Sequence, residues 1–169
     1  MRLCFVRHAE AIDHSPALDD AIRHLTAKGR GQFQKTARTM ARREIDPDFI
    51  ITSPLVRAVQ TAEILAQVME FRGELAVAPE LAHGFDRDGL SALIDRYRPA
   101  KRLVFVGHEP DLGALAGVLL GLKGPTPLKK GAALCLKYNP ATGAPASFCW
   151  LARGTHLIDA QEEWLQDRE

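Results

Sequence analysis

Residues 3–10 read Leu3-Cys4-Phe5-Val6-Arg7-His8-Ala9-Glu10. Four apolar residues in a row, rich in strand formers, predict a central strand covered on both faces. An Arg-His pair follows at once, then a loop. Burying a charge without a partner is costly, so Arg7 and His8 must sit where the strand leaves the sheet. Taken alone, the stretch reads equally well as a strand with ordinary polar residues at its end. The remaining segments decide between the two readings.

Similar apolar runs recur at Phe49–Thr52, Glu74–Val77 and Arg102–Gly107, the last being the clearest strand in the sequence. Helical patterns lie between them. Thr26 has the character of an N-cap, and Phe33, Ala37, Met40 and Ala41 share one helical face. That helix should end near Arg43 or Glu44, before Pro47. Ser53-Pro54 predicts a second helix start, with Ser as cap and Pro at the first helical position. The helix runs from Leu55 to Glu70, with Val59, Ala62, Ala66 and Met69 as core contacts. Asp88 to Tyr97 reads as a short helix starting near Asp88 or Ser91, and Pro110 opens another through Leu120. Beyond a Gly/Pro/Lys loop, Ala132–Tyr138 and Ser147–Leu151 form a hairpin around Asn139–Gly143. Strands alternating with helices define an α/β fold with a mostly parallel sheet.

Composition narrows the function classes. The chain has 169 residues, 46% hydrophobic and 25% charged, with a formal net charge of +1. Length favours one domain over residues 1–169, with the tail 154–169 unassigned. Near-neutral charge provides no global field for nucleic acid or membrane. No segment has the length of a membrane-spanning helix and no secretory signal opens the sequence. Cys4, Cys135 and Cys149 form no CxxC pair. A cytoplasmic, reduced setting is therefore expected, with no nucleic-acid and no membrane partner. Gly29-Arg30-Gly31 follows no strand and has Gln34 at the third glycine position, so it is not a dinucleotide fingerprint. His108-Glu109 is not the start of a zinc HExxH site, since Leu112 stands at the second histidine position. His14 and His24 read as exposed loop residues.

In open α/β sheets, ligands bind beyond the carboxyl ends of the strands. Arg7 and His8 lie there after the first strand, Arg57 after the second, and His108 after Gly107. Arg57 occupies a first helical turn, where the helix dipole favours acids, so a cation there points to an anion nearby. A surface arginine is the competing reading. Arginine's planar fork matches phosphate oxygens, and the helix starts behind Ser53 and Pro110 add N–H donors at the same rim. A phosphoryl site explains all of these groups together.

Arg7-His8 after an initial strand, Ser53-Pro54-Leu55-x-Arg57-Ala58-x-Gln60-Thr61-Ala62, and Val106-Gly107-His108 resemble the histidine phosphatase (phosphoglycerate mutase-like) superfamily. Leu25-Thr26-Ala27-x-Gly29 and Gly107-His108-x-Pro110 resemble its small branch, the SixA-type phosphohistidine phosphatases. The resemblance covers roughly residues 1–151. It implies a three-layer α/β/α sandwich and a metal-independent phosphatase without cofactor. It also implies His8 as nucleophile, with Arg7, Arg57 and His108 binding the phosphoryl group. Glu80 matches the family's usual proton-donor region, with Glu109 and Asp86 as alternatives. Lys129 and Lys130 fall near the same rim by analogy. Three departures stand out: Ala9 replaces the usual glycine, the Leu81–Lys101 stretch is short, and the tail has no counterpart. The expected substrate is phosphohistidine on a protein. The alternatives are a small phosphomonoester, then a phosphomutase reaction, then phosphate binding without catalysis.

Overall fold

The structure, a computed structural model, describes residues 1–43, 45–124 and 126–166. Its centre is one seven-stranded sheet of order β3-β2-β4-β1-β5-β6-β7. β1 is Arg2–Arg7, β2 Phe49–Thr52, β3 Glu74–Val77, β4 Arg102–Gly107, β5 Ala133–Lys137, β6 Ser147–Arg153 and β7 His156–Ile158. β1 lies parallel to β4, which lies parallel to β2, and β2 parallel to β3. β5, β6 and β7 continue the sheet antiparallel.

The Leu3–Val6 run sits at the middle of this sheet, and alternation assigns its side chains to two cores. Leu3 and Phe5 face one side with Leu90 and Leu93 of α3 (Arg87–Arg96) and Leu112, Leu115 and Leu119 of α4 (Asp111–Leu120). Cys4 and Val6 face the other with Phe33, Ala37 and Met40 of α1 (Ala27–Ala41) and Ala58, Ala62 and Leu65 of α2 (Val56–Val68). The result is a three-layer α/β/α sandwich. Among the described residues, no helix is long and apolar enough to cross a membrane.

Several local expectations shift. Thr26 caps α1 as its sequence predicts, its Oγ accepting from Gly29 N at 2.9 Å. Ala41, at the helix end, is exposed, and Glu44 lies outside the described residues. Ser53 does not cap α2. The helix begins two residues later behind Leu55, without a side-chain cap, because the Ser53 hydroxyl is engaged by His108 and by Leu55 N. The α2 core face is Ala58, Ala62, Ile64 and Leu65, while Val59, Ala66 and Met69 are half-buried. Asp86, not Asp88 or Ser91, caps α3, accepting from Gly89 N at 2.9 Å. Pro110 is the cap of α4 rather than its first helical residue. The tail adds β7 to the sheet and ends in α5 (Gln161–Gln166), whose Trp164 is 2% exposed and stacks on Phe148.

Candidate active site

The rim at the carboxyl ends of β1, β2 and β4 gathers residues from far apart in sequence. Arg7 is the last residue of β1. His8 follows with its backbone held from both sides, its N–H donating to Gly107 O (3.0 Å) and its carbonyl accepting from Gly131 N (3.1 Å). Gly107 ends β4 and delivers His108 alongside. The first turn of α2 brings Arg57 up from below. Thr61 locks that turn to the loop after β1, donating to Arg57 O at 2.7 Å and accepting from Ala9 N at 3.1 Å.

A hydrogen bond to a backbone carbonyl fixes the His8 tautomer. His8 Nδ1 lies 2.8 Å from Ala9 O. A carbonyl only accepts, so Nδ1 carries the proton and Nε2 keeps its lone pair. Nε2 faces the Arg57 Nε–H at 3.3 Å. Burial, with smaller contributions from Arg57 and Arg7, depresses the His8 pKa to about 4. His108 Nε2 lies 2.8 Å from Ser53 Oγ. Ser53 Oγ also accepts from Leu55 N, and with a second lone pair and its own proton it can serve His108 Nε2 as acceptor or donor. His108 Nδ1 is buried with no hydrogen-bond partner, as is Arg7 Nε. Burial, then the neighbouring His8 and Arg57, hold the His108 pKa down at about 3. Both imidazoles are therefore neutral at neutral pH.

Arg57 is 3% exposed, and its fork is turned toward the long loop that follows β1. It donates from Nη1 to Asp20 O (2.7 Å) and from Nη2 to Asp20 Oδ2 (2.9 Å). Asp20 opens a short 3-10 turn, Asp20–Ile22, and its Oδ1 also accepts from Arg23 Nη1 at 2.8 Å. The two guanidinium groups hold this carboxyl far below the usual carboxylate range. His83 stands beside it, with Nε2 3.8 Å from Asp20 Oδ2. The rings of His83 and His108 are 5.1 Å apart, and those of His108 and His8 are 5.2 Å apart. The groups thus close a ring in the order His8, Arg57, Asp20, His83, His108.

The structure brings Arg7, His8, Arg57 and His108 to one rim, but the three carboxylates read from the sequence behave differently. Glu80 lies in a turn after β3 and pairs with Arg96 of α3, which lowers its pKa. Among the described residues, no hydrogen bond or ion pair joins it to His8, Arg57 or His108. Asp86 is the α3 cap. Glu109 folds over the start of α4, accepting from Gly113 N at 2.9 Å, and burial raises its pKa. Lys129 lines a small cavity with Arg7, Leu128, Arg153 and Trp164, and Lys130 lines another with Lys35, Arg153 and His156. His14 and His24 are exposed. Among the described residues, no group of three or more His, Cys, Asp or Glu could hold a metal ion. Sequence reasoning missed Asp20, Arg23 and His83. The unusual length of the loop after Glu10 was the available signal for the first two, because loops of that length are often functional.

Residues 3–83 match the model of the histidine phosphatase superfamily, branch 1. An uncharacterized protein of Picosynechococcus sp. is 38% identical over 122 residues, which cover 69% of this chain and 71% of the relative. The chain belongs to the histidine phosphatase superfamily and is a phosphatase of the hydrolase class. Within that superfamily it is similar to the small SixA type. The phosphohistidine phosphatase SixA of Escherichia coli is 26% identical over 121 residues, covering 70% of this chain and 74% of the relative. The structure of the protein histidine phosphatase SixA complexed with tungstate has the same fold, with a TM-score of 0.79 at 21% identity over 91% of this chain and 97% of that one.

Proposed function

We propose that this phosphatase removes the phosphoryl group from phosphohistidine carried on a protein, through a covalent intermediate on His8. The observation that carries the covalent step is the His8 imidazole: Nδ1–H anchored on Ala9 O, Nε2 unprotonated and facing Arg57. A neutral imidazole nitrogen so placed attacks phosphorus and splits one displacement into two. Arg7 Nε, a buried donor without a partner, and the buried, unpartnered His108 Nδ1, together with the Arg57 fork, supply the electrostatic stabilisation on which phosphoryl transfer depends. Water then cleaves phospho-His8 and releases phosphate.

The protein substrate is supported by the mouth of the site. Between β3 and β4 the chain carries only the turn Pro79–Leu81 and α3, with no insertion folding over the rim. The His83 side chain at the mouth is 63% exposed and that of Asp20 37%. An open mouth touches few atoms beyond the phosphoryl group, so it provides little selectivity among small molecules. It does admit a side chain projecting from another protein. The cytoplasm is the compartment of this reading, where the free thiols of Cys4, Cys135 and Cys149 stay reduced. The test compares kcat/KM for a phosphohistidine-bearing phosphocarrier protein with that for a panel of phosphorylated metabolites. The carrier should win, and label trapped on the enzyme should be acid-labile, base-stable and absent from His8→Ala. A metabolite preferred by orders of magnitude would replace the protein substrate while leaving the His8 chemistry intact.

A further inference from the structure

A displacement at phosphorus is in line: the leaving group departs opposite the nucleophile. In the ring of groups around the site, the members across from His8 are Asp20 and His83. We propose that His83 is the proton donor to the leaving group and that Asp20 is the positioning residue that holds it. The proposal rests on the His8 phosphatase reading and adds the missing acid to it.

The other titratable groups are committed elsewhere or make no contact with the ring. His8 is the nucleophile, and its Nδ1 proton is committed to Ala9 O. His108 is neutral, its Nε2 engaged by Ser53 Oγ and its Nδ1 buried. Asp20 is pinned by two guanidinium groups and has no proton to give. Glu80 is bound to Arg96 through Oε1. Its Oε2 is buried and unpartnered, and among the described residues it makes no hydrogen bond or ion pair to His8, Arg57, Asp20, His83 or His108. Glu109 is turned onto the start of α4. His83 remains, with one ring nitrogen beside a carboxylate and its side chain open to solvent, from which protons are restored.

The arrangement also couples proton donation to substrate arrival. Asp20 Oδ2 is 2.9 Å from Arg57 Nη2 and 3.8 Å from His83 Nε2. A phosphoryl group taking the Arg57 fork displaces that oxygen, while Arg23 retains Asp20 through Oδ1. Oδ2 is then released to His83. With Nε2 held by Asp20, Nδ1 is the nitrogen left for the leaving group. In the first step, His8 Nε2 bonds to phosphorus, the bond from phosphorus to the leaving oxygen or nitrogen breaks with its electron pair, and that atom takes the proton from His83. In the second step, His83 takes a proton from the water that attacks phospho-His8, and the His8 lone pair is restored.

The test uses aryl phosphates of graded leaving-group ability, from 2,4-dinitrophenyl to phenyl phosphate, on wild type, His83→Gln, Asp20→Asn and Glu80→Gln. General acids typically contribute about 100- to 10,000-fold. His83→Gln should therefore lower kcat/KM at least about 100-fold on phenyl phosphate and less than about 5-fold on the dinitrophenyl ester. Asp20→Asn should show the same leaving-group dependence. Because His83 is exposed at the mouth, its replacement leaves the core intact, and an unchanged thermal midpoint checks this. An equal loss on every ester overturns the proposal, as does a leaving-group-dependent loss in Glu80→Gln with none in His83→Gln. Rapid quench of the dinitrophenyl reaction separates the two layers of argument. Phospho-His8 formed at near-normal rate in His83→Gln supports the donor role. No phosphoenzyme in wild type overturns the nucleophile reading, and the donor role with it.

Discussion

At the scale of single residues, the site works by keeping two imidazoles neutral among arginines. The His8 and His108 pKa values, about 4 and about 3, lie below the ordinary 6.5. The unfolded chain takes up these protons as pH falls through about 6.5, and the folded chain does not until much lower pH. The stability contributed by each neutral ring is thus fully present above pH 6.5 and is lost as pH falls toward its folded value. Linkage gives a loss of about 2 kcal/mol per ring between pH 7 and pH 5. Urea unfolding at the two pH values checks this, and His108→Gln should flatten the difference. The acid limb of kcat/KM should likewise fall near pH 4 rather than 6.5, since His8 stays unprotonated until then. Arg57→Ala should cost a few kcal/mol of transition-state stabilisation, charge-assisted bonds being worth about 1.5–3 kcal/mol each. Arg57→Lys should recover only part, because one ammonium cannot supply both Nε to His8 and the two-pronged fork. Full activity in Arg57→Lys would reduce its role to charge alone.

At the scale of elements, α1 shows how tightly the loop after β1 is fastened. Thr26 N donates to Glu10 O at 3.0 Å, and Thr26 Oγ caps Gly29. A Cβ on Gly29 would overlap the Glu10 carbonyl oxygen, so the helix start and the segment behind His8 are pressed backbone to backbone. Gly29→Ala should destabilise by at least about 2 kcal/mol, as overpacking does, lowering the thermal midpoint by several degrees. Thr26→Ala should cost about 1 kcal/mol. Both changes should reduce activity, since they displace the loop bearing Asp20. These elements also show what the sequence could disclose. Apolar runs fixed the strands from β1 to β4, and the residues that end them carried Arg7, His8 and His108 into view. Ser53 misled because its spacing before Pro54 is that of a cap, while its hydroxyl is claimed by a histidine 55 positions away. Asp20 and His83 stayed invisible for a related reason. Neither has a local signature, and the two meet only when the loop after Glu10 reaches the edge of the rim. Glu80 was legible by position, but its pairing with Arg96 depends on where α3 packs.

At the scale of the whole molecule, the tail belongs to the sandwich. β7 pairs along β6, and Trp164 packs with the core that contains Phe5, Phe105 and Leu134. Trp164→Ala should cost about 3–5 kcal/mol, as large-to-small core changes do, and it should raise the rate of proteolysis near the carboxyl end. The cavity that Trp164 shares with Arg7, Leu128 and Lys129 ties this distant helix to the site. The same variant should therefore lower kcat/KM even below its melting range. Unchanged kinetics would show that α5 contributes stability alone.

The central position of β1 has a consequence for how the protein is made. Val6 pairs with Val106 on one side and Ala133 on the other, so β1 has no sheet neighbour until β4 and then β5 have been synthesised after it. At about 5–20 residues per second, Leu3-Cys4-Phe5-Val6 waits for several seconds as an unpaired apolar edge. The nascent chain therefore exposes an apolar, strand-forming segment until β4 and β5 cover its two edges. Ribosome-bound chains stalled before β4 should be captured by holdase chaperones, and chains stalled well past β5 should escape them.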